Sequence, residues 1–127
     1  MKNINVQTLK TSEKTFFVVW LKILQSFLKL GKQEQLVLSR LLYYRYNLIK
    51  QVSNKSIVEN ILFSPEYRKL IKQELDIGTP SFNNTLSSLR RKKIIINNKI
   101  NNKIIPKVET DFTNFKLVYN IEIVENI

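Results

Sequence analysis

The sequence predicts an α+β fold, mainly helical, with a β-hairpin late in the chain and one strand near its end. Three observations carry this reading. Apolar residues recur at helical spacing from residue 12 to about residue 89. Two capping residues placed before prolines, Ser64-Pro65 and Thr79-Pro80, divide that stretch. Beyond it, short aliphatic runs alternate with Asn-Asn pairs, and Phe115, Leu117, Tyr119, Ile121 and Ile123 alternate strictly, as a half-buried strand does. At 127 residues the chain fits a single domain with one core. Residues 1–11 read as a loose lead-in, 12–50 as two helices, 56–108 as a helical pair followed by a hairpin, and 109–127 as a strand with an acidic tail.

The first helix is predicted over 12–30. Ser12 or Thr11 can cap it, with Glu13 in the first turn where a carboxylate suits the helix dipole. Phe16, Trp20, Ile23, Phe27 and Leu30 form its stripe, widened by Leu24 and Leu28, and Gly31 stands where a C-terminal glycine belongs. So wide a stripe is either core or, in part, the interface of a homodimer through helix 12–30. A second helix is predicted over 33–50, with Leu36, Val37, Leu41, Tyr44 and Leu48 inward. Its Tyr43, Tyr44 and Tyr46 lie among Arg40 and Arg45, and are either rim residues or groups that stack on single-stranded bases.

A short helix over 56–62 is expected to turn Ile57, Ile61 and Leu62 inward. Ser64, Pro65 and Glu66 then start a helix that carries Tyr67, Leu70, Ile71, Glu74 and Leu75 and stops before Ile77-Gly78. Thr79 is expected to cap the next helix, 80–92, whose Phe82, Leu86 and Leu89 share one face. Ser81, Asn83, Asn84, Thr85, Ser87, Ser88 and Arg91 are left for the rest of its surface. Ile94, Ile95 and Ile96 read as one hairpin strand and Ile104-Ile105 as the other. Asn97-Asn98 and Asn101-Asn102 are turn signals, and Pro106 marks an edge or exit.

Charge sharpens the functional reading. The formal net charge is +11, which speaks to partners rather than to fold. Residues 77–108 hold seven bases and no acid, whereas 109–127 hold one base and four acids, so the tail is no basic arm. The chain has no Cys, no His and no Ala. Thiolate metal sites, disulfides, Ser-His-Asp and Cys-His arrangements are thereby excluded within one chain. Its two glycines lie far apart, so there is no Gly-rich phosphate loop. The expectation is a non-enzymatic protein with no catalytic residues, no metal and no cofactor. The run 16–21 is too short to span a bilayer, so no membrane partner is expected and the cytoplasm is the default compartment.

Two helices joined by a short turn and followed by a hairpin make a helix-turn-helix with a wing. Leu75-Asp76-Ile77-Gly78-Thr79, then Phe82, Leu86 and Leu89, then Lys92-Lys93-Ile94-Ile95, resemble the winged-helix DNA-binding family over residues 64–108. The family usually has glycine where Lys93 stands, so Lys93 implies either a less sharp turn or backbone strain. The resemblance implies that helix 80–92 enters the major groove of double-stranded DNA. Ser81, Asn83, Asn84, Ser87, Ser88 and Arg91 would then read base edges. Arg90, Lys92, Lys93, Lys99, Lys103 and Lys107 would meet phosphates. It further implies a transcriptional or replication accessory factor. The small size and the richness in Ile, Asn and Lys, over a third of the chain, point to a bacteriophage origin in a bacterial host. The competing reading is a small virion-associated structural or protein-docking module, assembled into a phage particle.

Overall fold

The computed structural model describes residues 9–107 and Phe115. Over these the protein is mostly helical with one small antiparallel sheet, as an α+β fold requires. Six helices run in order: α1 (Glu13–Ile23), α2 (Gln25–Leu28), α3 (Lys32–Gln51), α4 (Lys55–Leu62), α5 (Pro65–Leu75) and α6 (Thr79–Arg91). Two short strands follow, β1 (Ile95–Ile96) and β2 (Lys99–Ile100). Apart from Phe115, the expected strand 115–124 lies outside the described residues. Among the described residues no helix is long and apolar enough to cross a membrane.

α1 begins as expected. The Ser12 hydroxyl accepts the Thr15 N–H at 3.2 Å, and the Thr15 hydroxyl accepts the Ser12 N–H at 3.1 Å. The helix does not continue to residue 30. It yields at Leu24, and the single turn of α2 ends at Lys29, whose backbone is left-handed at φ 51°. Gln25 holds this reversal from both sides: its amide donates to the Leu30 carbonyl at 2.7 Å and its oxygen accepts the Leu30 N–H at 3.1 Å. Gly31 is therefore not the glycine that ends the first helix. It has φ −69° and serves as N-cap of α3. Lysine rather than glycine takes the left-handed position because the Gln25 clamp and the burial of Leu30 define the turn.

α3 is the central element and packs against α1, α4, α5 and α6. Val37, Leu38, Leu41, Leu42, Tyr46 and Leu48 are buried along it, so it needs apolar side chains on more than one side. Leu36, expected inward, is 36% exposed, and Tyr44 is half-buried. In α4 the helical phase also differs from expectation. Ile57 is exposed and Ile61 half-buried, while Val58, Glu59 and Leu62 are buried. The reason is electrostatic as well as apolar: Arg45 of α3 donates to Glu59 at 2.8 Å, which draws that carboxylate into the α3–α4 contact. In α5 Ile71 is fully buried, but Leu70 is 39% exposed.

The first-helix stripe is largely covered by the chain itself. Phe16, Phe17, Trp20, Leu21 and Leu30 are buried, whereas Phe27 is 69% exposed. Phe115 stands edge-on to Phe16 and Trp20, at ring separations of 5.3 and 5.5 Å. The tyrosine group is packed within the fold rather than displayed. Tyr43 and Tyr44 lie 5.4 Å apart, Tyr44 and Tyr67 also 5.4 Å, and Tyr46 is 5.8 Å from Phe17.

α5, the turn 76–78 and α6 follow one another closely. Asp76 is left-handed at φ 52°, and the Ile77 N–H returns to the Lys72 carbonyl at 3.0 Å. That closes α5 in the pattern of a Schellman cap. Gly78, not Thr79, is the N-cap of α6, with Thr79 and Pro80 opening the helix. The Thr79 hydroxyl instead accepts from Lys72 at 3.0 Å.

Candidate nucleic-acid interface

α6 has three distinct sides, set by an advance of about 100° per residue. The first is the core side, where Phe82, Leu86 and Leu89 are at most 1% exposed, as their spacing predicts. Thr85, expected on the surface, is buried beside them. The second side meets the first turn of α3. Gln33 donates to the Ser81 hydroxyl and to the Thr85 hydroxyl, each at 2.7 Å. Ser88 donates to Glu34 at 2.8 Å, and the Lys92 ammonium lies 2.7 Å from the same carboxylate. Lys92 also donates to the Lys29 carbonyl at 3.2 Å.

The third side faces outward and carries Asn83, Asn84, Ser87, Arg90 and Arg91. All are exposed except Ser87, which is half-buried. Of the expected base-reading residues, Asn83, Asn84, Ser87 and Arg91 thus share one face. Ser81 and Ser88 belong to the flank bonded to α3. Arg90, expected at phosphates, joins the outward face. The split has a simple origin. The partners of Ser81 and Ser88 are about fifty residues away in sequence, so helical spacing within α6 carries no sign of them.

The end of α6 resolves the Lys93 question. Lys93 adopts φ 63°, so the turn stays sharp and a lysine occupies the conformation that glycine takes most readily. The Lys93 N–H returns to the Arg90 carbonyl at 3.0 Å and the Ile94 N–H to the Leu89 carbonyl at 2.9 Å. Buried Ile94 over buried Leu89 completes a Schellman cap. The chain then enters a hairpin with Ile95 opposite Ile100 and Ile96 opposite Lys99. Its two-residue loop, Asn97-Asn98, has positive φ at both positions, the mark of a type I′ turn.

The hairpin is shorter than expected. Its second strand is Lys99–Ile100 and not Ile104-Ile105. The 101–105 segment is a compact turn in which the Ile104 N–H donates to the Asn101 carbonyl at 2.9 Å. Asn101 also binds the Lys93 carbonyl through its side chain at 3.1 Å. Ile104 is buried, and its carbonyl accepts the Trp20 indole N–H at 2.7 Å. That hydrogen bond holds the segment against α1 and prevents it from extending the sheet. Pro106 is buried as the chain leaves.

The electrostatics divide the cations into two groups. Ion pairs among the described residues join Lys14 to Glu74, Arg45 to Glu59, Lys50 to Glu13 and Lys92 to Glu34. Of the expected phosphate contacts, only Lys92 has an acidic partner there. Arg90, Arg91, Lys93, Lys99, Lys103 and Lys107 are exposed and lie in the acid-free segment. Among the described residues no cluster of His, Cys, Asp or Glu is suited to a metal ion. A pocket lined by Phe17, Leu42, Arg45, Tyr46 and Ile105 takes no residue from α6. Comparison with protein-family models, curated proteins and solved structures finds no match for this chain.

Proposed function

We propose that this protein is a non-enzymatic, winged-helix double-stranded-DNA-binding factor serving transcription or replication, with α6 as the helix that enters the major groove. One observation carries the proposal: an outward helix face of amide, hydroxyl and guanidinium groups leads directly into exposed cations that have no acidic partner among the described residues. Asn83 and Asn84 have the paired donor and acceptor that adenine matches, and Arg91 has the fork that guanine matches. Arg90, Lys93, Lys99, Lys103 and Lys107 would neutralise phosphates along the groove edge and beside the hairpin.

The single-strand reading loses support because Tyr43, Tyr44 and Tyr46 pack against neighbouring aromatic rings. The virion-component reading rested on the first-helix stripe and the same tyrosines, and most of that surface is covered by the chain itself. The deciding measurement is titration with random-sequence duplex over a salt series. With about five phosphate contacts, log affinity falls against log salt with a slope of about −4 to −5. No binding to any duplex at low salt overturns the proposal.

A further inference from the structure

Lys92 and Ser88 stand at the edge of the surface assigned to DNA, yet both are already engaged by Glu34. The carboxylate accepts three hydrogen bonds: from Lys92 at 2.7 Å, from the Gly31 N–H at 2.8 Å and from Ser88 at 2.8 Å. Its side chain is only 12% exposed, and it brings a negative charge against the Lys92 ammonium. A phosphate near Lys92 would have to displace this carboxylate or lie beside it.

We propose that Glu34 tunes the affinity of the DNA interface, withholding Lys92 from phosphate and disfavouring backbone contact along the α3 flank of α6. The inference rests on the DNA-binding reading above and deepens it. Glu34 acts as a positioning and specificity residue: it limits the sequence-independent attraction and leaves Asn83, Asn84 and Arg91 a larger share of the recognition. The geometry favours this role because the carboxylate spans both elements, bonding the N-cap of α3, Ser88 of α6 and the α6 C-cap Lys92 with two oxygens.

The test is a double-mutant cycle in the full chain, read by duplex binding from 50 to 200 mM salt. Glu34→Gln keeps an acceptor for Gly31 and removes the charge. It is expected to tighten binding to random duplex and to steepen the salt slope by about 0.9, an extra loss of roughly 3.5-fold across that fourfold salt range. Lys92→Gln alone is expected to leave the slope almost unchanged, because its charge is already neutralised. Added to Glu34→Gln, it returns the slope to the wild-type value. Arg90→Gln, at an expected phosphate contact, serves as control and lowers the slope by about 0.9. If the wild-type protein binds duplex and Glu34→Gln leaves affinity and slope unchanged, or weakens binding, the inference is wrong. A fall of about 0.9 in the slope for Lys92→Gln alone is equally fatal to it. If the wild-type protein binds no duplex, the DNA reading itself fails. Circular dichroism of each variant separates an unfolded protein from a weakened interface.

Discussion

Lys93 carries two opposed demands. Its left-handed backbone closes the Schellman cap of α6 and starts the hairpin, a conformation that costs an L-residue about 1–2 kcal/mol. Its exposed ammonium adds a cation where phosphate is expected. Lys93→Gly is therefore predicted to raise stability by about 0.5–1 kcal/mol, part of the relief being offset by glycine's greater chain entropy when unfolded. On the DNA-binding proposal, the same change is expected to lower the salt slope by about 0.9. A shifted denaturant midpoint with an unchanged m-value checks the first effect.

Glu34 gives a pH signature. Burial alone would push its carboxyl up, but hydrogen bonds from Lys92, Gly31 and Ser88, with the Lys92 charge, hold it below its ordinary value of 4.5. A carboxyl lowered on folding stabilises the folded state at pH above its unfolded value. That contribution fades as pH falls below about 4.5 and through the lower folded value. Denaturation curves from pH 6 down should show this loss, and Glu34→Gln should remove that part of the acid sensitivity. Tyr44 shifts for related reasons. Burial and its hydrogen bond to Glu74 push its phenol above the usual range, so it stays neutral under ordinary alkaline conditions.

At the scale of elements, α6 was legible from spacing wherever its side chains meet the core. Phe82, Leu86 and Leu89 follow the helical period, and the structure buries all three. Leu86→Asp puts an unpaired carboxylate among apolar neighbours and is predicted to abolish the helical circular dichroism signal. Ser87→Asp, on the outward face, should leave that signal intact while weakening duplex binding. A folded Leu86→Asp protein would show that the faces are exchanged. Helix starts were legible at Ser12 and Ser64-Pro65 because their chemistry is local. The end of the first helix was not, since the Gln25–Leu30 clamp competes with the Gly31 signal that follows it. The second hairpin strand lies away from its expected place for a similar reason. Ile104-Ile105 is as aliphatic as any strand, but the Trp20 hydrogen bond holds it elsewhere. The flank of α6, the buried Arg45–Glu59 pair and the Lys92–Glu34 pair all depend on contacts across the fold that no local period encodes.

For the whole molecule, α3 and Trp20 act as organisers. Trp20 is the only tryptophan, is 7% exposed, and bonds a carbonyl 84 residues away. Trp20→Phe keeps an aromatic ring but leaves the buried Ile104 carbonyl without its donor. The predicted cost is about 1–3 kcal/mol, read from thermal or denaturant melts. In the unsubstituted protein the fluorescence of this indole should change at the same midpoint as the far-ultraviolet circular dichroism. Separate midpoints would mean that α1 and the hairpin detach before the rest of the helices unfold.

The Trp20–Ile104 bond also limits how the protein can be taken apart. The helix pair and hairpin over 64–107 look like a portable cassette, short enough to graft onto another protein. Yet the chain just beyond the hairpin is pinned by a donor on the first helix, and α6 is held laterally by the first turn of α3. A fragment starting at α5 would lose both supports and expose Ile71, Phe82, Leu86 and Leu89 to water. The surface proposed to meet DNA is thus indivisible from the segment that precedes it, and a transplant must carry everything from Ser12 onward to keep its shape.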